Sequence, residues 1–290
     1  MIGKTCISKY TVERLKEENL DVESIYVNCW NDHSRFQVLF RILDEVMSTV
    51  DIHRQSTPRD VLFDRLRDHE GPPCVVILDE VDQLEDRKIL YELLGLQSFS
   101  LVLIANDVEE LLAEVDERLA SRLRSAEHIR FHKYSADELV DILRERAERA
   151  LTHDAISQSE LELIADEAGG DTRVAIATLK LAARQADRDN AEQITTDHVT
   201  QAVPDAREEL RQKNLDALSE HQQVIYEIIE EHESIAPGDL YPEYRSRVDN
   251  PKSDRTVRSY LKKMVRYNLV AAEGSTQDRR YRSLAPPSPS

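Results

Sequence analysis

Four short stretches carry side chains suited to a phosphorylated ligand. Gly3-Lys4-Thr5 opens the chain ahead of a helical pattern. A glycine at a helix start leaves backbone N–H groups open to an anion. A lysine adds a point charge beside distal phosphates, and a threonine hydroxyl can ligate Mg2+. The second stretch, Val75-Val76-Ile77-Leu78-Asp79-Glu80, is an apolar run ending in two acids. On a buried strand both acids arrive at its C-terminal end, where α/β sheets hold their ligands. Asp79 then suits the shell of a Mg2+ ion and Glu80 suits a base that polarises water. The same letters also describe a strand running into a solvated acidic loop, because Asp82, Glu85 and Asp86 follow. Asn106 ends another apolar run, where its amide can orient water beside a γ-phosphate or simply begin a turn. Arg173, in Gly169-Gly170-Asp171-Thr172-Arg173, can reach for a phosphate from a separate segment or pair with Asp171.

Strands and helices must bring these residues together. Residues 23–30 are rich in β formers, and 101–107 repeat the continuous apolar run of 75–80. Such runs mark strands covered on both faces, as in parallel sheets. Helical spacing fills 11–20, 34–49 and 58–69 between them, so an α/β parallel sheet is expected. A short strand at His128-Ile129-Arg130-Phe131 is expected to close the set. After Tyr134 the pattern becomes all-helical. Ser135 with Glu138 and Ser159 with Glu162 read as capping boxes, the glycine pair at 169–170 precedes a helix, and another helix covers 195–203. Pro204 and the charged run after it predict a linker or a connecting helix. Residues 215–284 then offer three amphipathic helices, with Pro237 starting the second and Ser253 capping the third. Two strands around a Gly-Ser turn follow. That order is a winged-helix module.

Charge is segregated along the chain. The net charge is −18, from 56 acids against 38 bases, only 10 of them lysine. Acid excess with few lysines predicts adaptation to high salt, and such a surface repels nucleic acid unless the bases are gathered. They are gathered between Lys252 and Arg282, where nine bases meet three acids. On the third helix of this module, Val257, Leu261, Met264 and Val265 share one face. Arg255, Arg258, Lys262 and Arg266 recur at three- and four-residue steps on another, with Lys263 beside them. Arg279, Arg280 and Arg282 sit on the hairpin. A helix of this kind fits a major groove and such a hairpin fits an adjacent groove or backbone. A weaker basic patch covers 53–59. At 40% apolar residues the chain can bury real cores,. No segment approaches a membrane span and no signal pattern opens the chain, so the expected location is cytoplasmic, with no membrane partner. Cys6, Cys29 and Cys74 lie far apart, fit no zinc spacing and read as reduced, partly buried thiols.

The phosphate loop, acidic strand, asparagine and lid arginine stand in the order of AAA+ ATPases. Val115-Asp116-Glu117-Arg118-Leu119-Ala120-Ser121-Arg122-Leu123 lies where such ATPases carry an arginine that acts in trans, and Arg118 and Arg122 are both candidates. The combination resembles the archaeal origin-recognition initiator family. The matching stretches are GKT at 3–5, YVNC at 26–29, VVILDEVDQL at 75–84, LIAND at 103–107, VDERLASRL at 115–123, GGDTRVAI at 169–176 and the winged helix. SRL at 121–123 is also similar to a clamp-loader motif, which keeps that relation as an alternative.

The resemblance implies a P-loop parallel sheet over 1–134, a helical lid over 135–204 and a DNA-binding winged helix over 215–284, while the proline- and serine-rich composition of 285–290 predicts a disordered tail. It implies ATP and Mg2+ as cofactors. The implied partners are origin duplex DNA, a replicative helicase and further copies or paralogous subunits. The family loop is G-x-x-G-x-G-K-T after a strand. Aligned back from Thr5, its second glycine falls on Met1, and its first glycine and strand have no counterpart. An N-terminally incomplete core with impaired ATP turnover is therefore expected. A DNA-binding paralogue or fragment without ATPase activity is the further alternative.

Overall fold

The computed structural model describes residues 3–18, 21–47, 49, 52, 57–275 and 278–284. Residues 53–56 of the weak basic patch and the tail 285–290 lie outside them. The chain divides into two compact units, Gly3–Phe131 and a second that runs from His132.

The first unit is a three-stranded parallel sheet in the order β1 (Glu23–Asn28), β2 (Cys74–Asp79), β3 (Phe99–Ile104). Register pairs Asn28 with Asp79 and Asp79 with Ile104, so all three strands end at one level. Alternation sends Ile25, Val27, Val76 and Leu78 into one core with α2 (Arg35–Val46), α3 (Arg59–Arg67) and α4 (Lys88–Leu93). The opposite face packs Ile77 and Ile104 on Val12 of α1 (Lys4–Glu17). Burial on both faces explains why β2 reads as an unbroken apolar run. Ser34 opens α2 with a capping box to Gln37, which satisfies two otherwise orphaned N–H groups. Two further helices, α5 (Val108–Ala113) and α6 (Glu117–Arg124), follow β3 behind aspartate caps at Asp107 and Asp116.

The expected strand at 128–131 does not form. Those residues pair with no strand, and Ile129 is 78% exposed. Two apolar letters with neither a ladder partner nor a face to cover do not hold a strand.

The second unit begins with a helical bundle: α7 (Ala136–Ala150), α8 (Gln158–Ala168), α9 (Thr172–Arg188) and α10 (Thr196–Asp216). Ser135 and Glu138 make the expected capping box. The cap of α8 is Ser157, not Ser159, which falls inside the first turn. Gly169 ends α8 with φ 55° and Gly170 follows with φ 84°, a left-handed pair that L side chains adopt only with strain. Pro204 does not end α10. Val199, Ala202, Val203 and Ala206 are buried on either side of it, and that packing offsets the roughly 3 kcal/mol a helical proline costs. Of the linker and the connecting helix expected after Pro204, the structure has the helix, and residue 204 lies within its continuous run.

The winged helix follows as α11 (Glu220–Glu231), α12 (Pro237–Arg247), α13 (Asp254–Arg266) and an antiparallel hairpin of β4 (Val270–Glu273) and β5 (Arg280–Ser283). A bridge between Ile235 and Tyr281 ties the hairpin to the start of α12. Val257, Leu261 and Met264 are fully buried; each stabilises the module by about 1.5–3 kcal/mol.

Candidate functional site

The first unit gathers its polar residues at the C-terminal ends of the strands. Gly3 caps α1 with φ 58° and no side-chain hydrogen bond at the cap, which leaves the first-turn N–H groups facing outward for an anion. The Thr5 hydroxyl donates to Asp79 Oδ2 at 2.6 Å. Lys4 Nζ donates to the Ala105 carbonyl at 2.7 Å and to Asn106 Oδ1 at 3.2 Å. Residues from opposite ends of a 104-residue stretch thus meet in one cluster, and the expected Gly3, Lys4, Thr5, Asp79 and Asn106 all belong to it. A hydroxyl and a carboxylate side by side form a hard-oxygen donor set of the kind Mg2+ takes. The residues present therefore fit Mg2+ and a phosphate chain.

Glu80 follows Asp79 in the left-handed region, with φ 58° and ψ 46°, and is 8% exposed. A glutamate held there is strained by roughly 1–3 kcal/mol, and such strain concentrates where a side chain must leave the line of its strand.

Two residues of the cluster escaped the sequence reading. The Tyr26 hydroxyl donates to Asp79 Oδ2 at 3.0 Å. Burial and the Asp79 charge hold this phenol protonated far above its ordinary range,. Lys9 Nζ sits 3.3 Å from the centroid of the same ring. Asp82 is not part of a solvated loop: it is 7% exposed, and its Oδ1 accepts from the Asn106 N–H at 3.3 Å. Asp82 thereby fixes the backbone that carries Asn106. The signal for Tyr26 was its place within Tyr26-Val27-Asn28-Cys29. Asp82 gave none, because neighbouring acids disguise it.

Of the two candidate trans arginines, Arg122 lies over the Tyr91 ring at 4.7 Å, while Arg118 is exposed and makes no hydrogen bond or ion pair among the described residues. In the second unit, Arg173 pairs with Asp171, Nη2 to Oδ2 at 3.3 Å, and lies 5.8 Å from the Tyr267 ring centroid. Asp171 also caps α9 by accepting from the Arg173 N–H at 2.9 Å.

On α13, Arg255, Arg258, Lys262 and Arg266 are exposed together on the face opposite the core. Arg258 Nε donates to the Tyr241 hydroxyl at 3.4 Å. Lys263 departs from expectation: it is 3% exposed, on the flank of the buried stripe, and does not belong to the basic face. Val265 is half-buried rather than fully inward. On the hairpin, Arg279 is half-buried, while Arg280 donates to Ser234 Oγ and O at 2.7 Å each and Arg282 pairs with Glu273 at 3.1 Å. These arginines brace the wing as well as charging it. The thiols also differ from one another: Cys29 and Cys74 are buried, but Cys6 is exposed, against expectation. Among the described residues no helix is long and apolar enough to cross a membrane.

A parallel sheet, a hydroxyl–carboxylate pair at its strand ends, a helical bundle and a winged helix define an AAA+ ATPase-type protein. Residues 140–203 match the Cdc6 AAA+ ATPase-type lid domain. Over 288 residues the chain is 49% identical to the ORC1-type DNA replication protein 9 of Halobacterium salinarum, covering 99% of this chain and 81% of that protein. It is also 49% identical over 258 residues to the ORC1-type DNA replication protein 1 of the same organism, covering 89% and 84%. The chain belongs to the ORC1-type DNA replication proteins, a class of replication initiators. Its acid-rich composition accords with relatives from that organism. Among solved structures, the Aeropyrum pernix ORC2 protein in its ADP form matches with TM-score 0.61 and 27% identity, covering 97% of this chain and 80% of that one. The Aeropyrum pernix ORC1 protein in complex with DNA shares the fold with TM-score 0.71 and 23% identity, covering 98% and 81%. Family membership sets aside the clamp-loader alternative.

Proposed function

We propose that this chain binds ATP at the Thr5–Asp79 cluster and duplex DNA through its winged helix, as an initiator that marks replication origins and helps recruit the replicative helicase. The observation that carries the reading is the convergence of Thr5 on Asp79 and Lys4 on Asn106, residues remote in sequence and joined at the ligand end of a parallel sheet. Thr5 and Asp79 would hold Mg2+, which supplies charge neutralisation to the phosphates when bound. Lys4 is placed to exchange its Asn106 and Ala105 partners for phosphate oxygens. Tyr26 holds Asp79 by a hydrogen bond. Glu80 is the base that accepts a proton from the attacking water, and Asn106, held at its backbone by Asp82, orients that water. Arg173 is the lid residue assigned to sensing nucleotide. Arg118 or Arg122 acts on the site of a neighbouring copy or paralogue, and the freer Arg118 is favoured. The nucleotide core, lid and winged helix act as three functional parts, within the cytoplasm.

Relatives named for DNA replication and a DNA-bound structural neighbour support the second half of the reading. The test is Mg-ATP binding by fluorescence and turnover by phosphate release. Glu80→Gln is expected to retain ATP binding and lose turnover by a factor of about 100 or more. Unchanged turnover removes Glu80 from its role. A chain that binds duplex DNA but no ATP establishes the alternative of a DNA-binding member without ATPase activity.

A further inference from the structure

At the opposite end of the sheet from Asp79, three residues of different type converge. Glu23 opens β1 and Cys74 opens β2, and the parallel register pairs them directly. His69 follows α3 and turns back to them. Cys74 Sγ lies 3.7 Å from His69 Nε2 and 3.9 Å from Glu23 Oε2. One donor atom from each residue fits within 4.8 Å of the others. The Pro72 carbonyl oxygen completes the group, 3.4 Å from Sγ and 3.3 Å from Nε2.

The geometry points to a tetrahedral site for a borderline divalent cation of the zinc type, held by Cys74, His69 and Glu23, with the Pro72 carbonyl or a water in the fourth position. Metal–sulfur bonds of about 2.3 Å and metal–nitrogen or metal–oxygen bonds of about 2.1 Å require sulfur-to-nitrogen or sulfur-to-oxygen separations of about 3.6 Å and nitrogen-to-oxygen separations of about 3.4 Å. The four observed edges lie within about 0.3 Å of those values,. Sulfur and imidazole ligands select zinc over the oxygen-seeking Mg2+ of the nucleotide cluster.

The surroundings are built to hold the imidazole. A Cβ at Gly71 would lie 2.4 Å from His69 Cε1 and 2.7 Å from Nε2, so any larger residue there would push the imidazole out of this position. The other side of the ring rests against Phe99, with centroids 5.6 Å apart. Cys74 is 1% exposed. An open cleft lined by Lys16, Asp21 and Glu45 exposes the Glu23 side of the group to solvent.

Without a cation, the same atoms form a thiol hydrogen-bonded to its neighbours. Burial first, and the Glu23 charge second, push that thiol up to about 11. Metal entry replaces the thiol proton by a metal–sulfur bond and releases the proton to solvent. The thiolate and the carboxylate then balance a 2+ ion, so the buried site becomes neutral. The bound ion would clip the loop after α3 to the start of both strands.

The test is titration of the complete chain, untagged and carrying Cys6→Ser to remove the exposed thiol, with Co2+ alone. A thiolate-to-cobalt charge-transfer band and tetrahedral visible bands are expected to saturate at one equivalent and to be erased by Zn2+. Cys74→Ser should abolish the charge-transfer band. Because that residue is buried, Glu23→Gln and Gly71→Ala serve as surface-side variants, the second by displacing His69. Each should weaken Co2+ binding by about 10-fold or more, with an unchanged circular dichroism spectrum. No band at one equivalent, a band that survives Cys74→Ser, or unchanged affinity in both surface-side variants would overturn the site.

Discussion

Arg255 and Arg258 lie one helical turn apart on the exposed face of α13, and among the described residues neither makes a hydrogen bond or ion pair with a carboxylate. Each is therefore able to neutralise a DNA phosphate and release its counterion. For duplex DNA, the logarithm of affinity falls with the logarithm of salt at a slope of about −0.9 per phosphate contact. The double variant Arg255→Ala, Arg258→Ala removes two contacts and should flatten the slope by about 1.8. A fourfold rise in salt then costs the unmodified chain about 12-fold more affinity than the variant, since four raised to 1.8 is about 12. The assay is fluorescence anisotropy with a labelled duplex over a salt series. Circular dichroism serves as the check on folding, because neither side chain enters the core. Parallel log–log lines for the two proteins would refute the argument. If the loss is uniform over duplex sequences, the arginines touch phosphates; if it is confined to one sequence, they read bases.

Two further outcomes follow from the hydrogen bonds at the sites. Tyr26→Phe removes one donor from Asp79 and should cost about 1 kcal/mol in urea unfolding without changing the secondary structure; an unchanged midpoint would show that the bond contributes nothing. For Asp171, burial pushes the carboxyl up, but the Arg173 charge and its hydrogen bonds outweigh this and leave the folded pKa below the ordinary carboxylate value. A depressed carboxylate stabilises above its unfolded pKa, and that contribution is lost as pH falls through the folded value. Asp171→Ala should thus cost about 1 kcal/mol at neutral pH, cap included, and the difference should shrink as pH drops below about 4. A difference independent of pH would remove the ion pair from the account.

The strands and their terminal acids were legible because a strand covered on both faces must be apolar throughout. Asp79 and Asn106 stood out as the polar residues that end such runs. The 128–131 stretch misled because a local pattern carries no information about whether a neighbouring strand exists. On α13, at about 100° per residue, Lys263 lies about 60° from the buried Tyr260 and about 60° from the exposed Arg266. Periodicity alone cannot assign a residue at that border, and a long lysine stem packs as readily as it reaches solvent. Tyr26 and Asp82 were hidden because their roles depend on register and on a turn rather than on spacing. Glu23, His69 and Cys74 were invisible for the same reason: parallel pairing of β1 with β2 brings together residues that no linear motif connects.

The unbroken helix α10 changes what the second unit is as a mechanical object. Its 21 residues span about 31 Å, from the bundle to the winged helix,. At its far end Asn214 Nδ2 donates to the Tyr267 carbonyl at 3.2 Å, and Arg211 Nη1 donates to the Tyr226 hydroxyl at 2.9 Å. A flexible tether would absorb a tilt of the bundle in backbone torsions; a rigid arm conveys it. A 10° tilt at one end displaces the other by about 5 Å, more than the roughly 3.4 Å between successive base pairs. With the winged helix seated on a duplex as proposed, a lever of this length would turn a small change of attitude in the bundle into a displacement of a whole base-pair step.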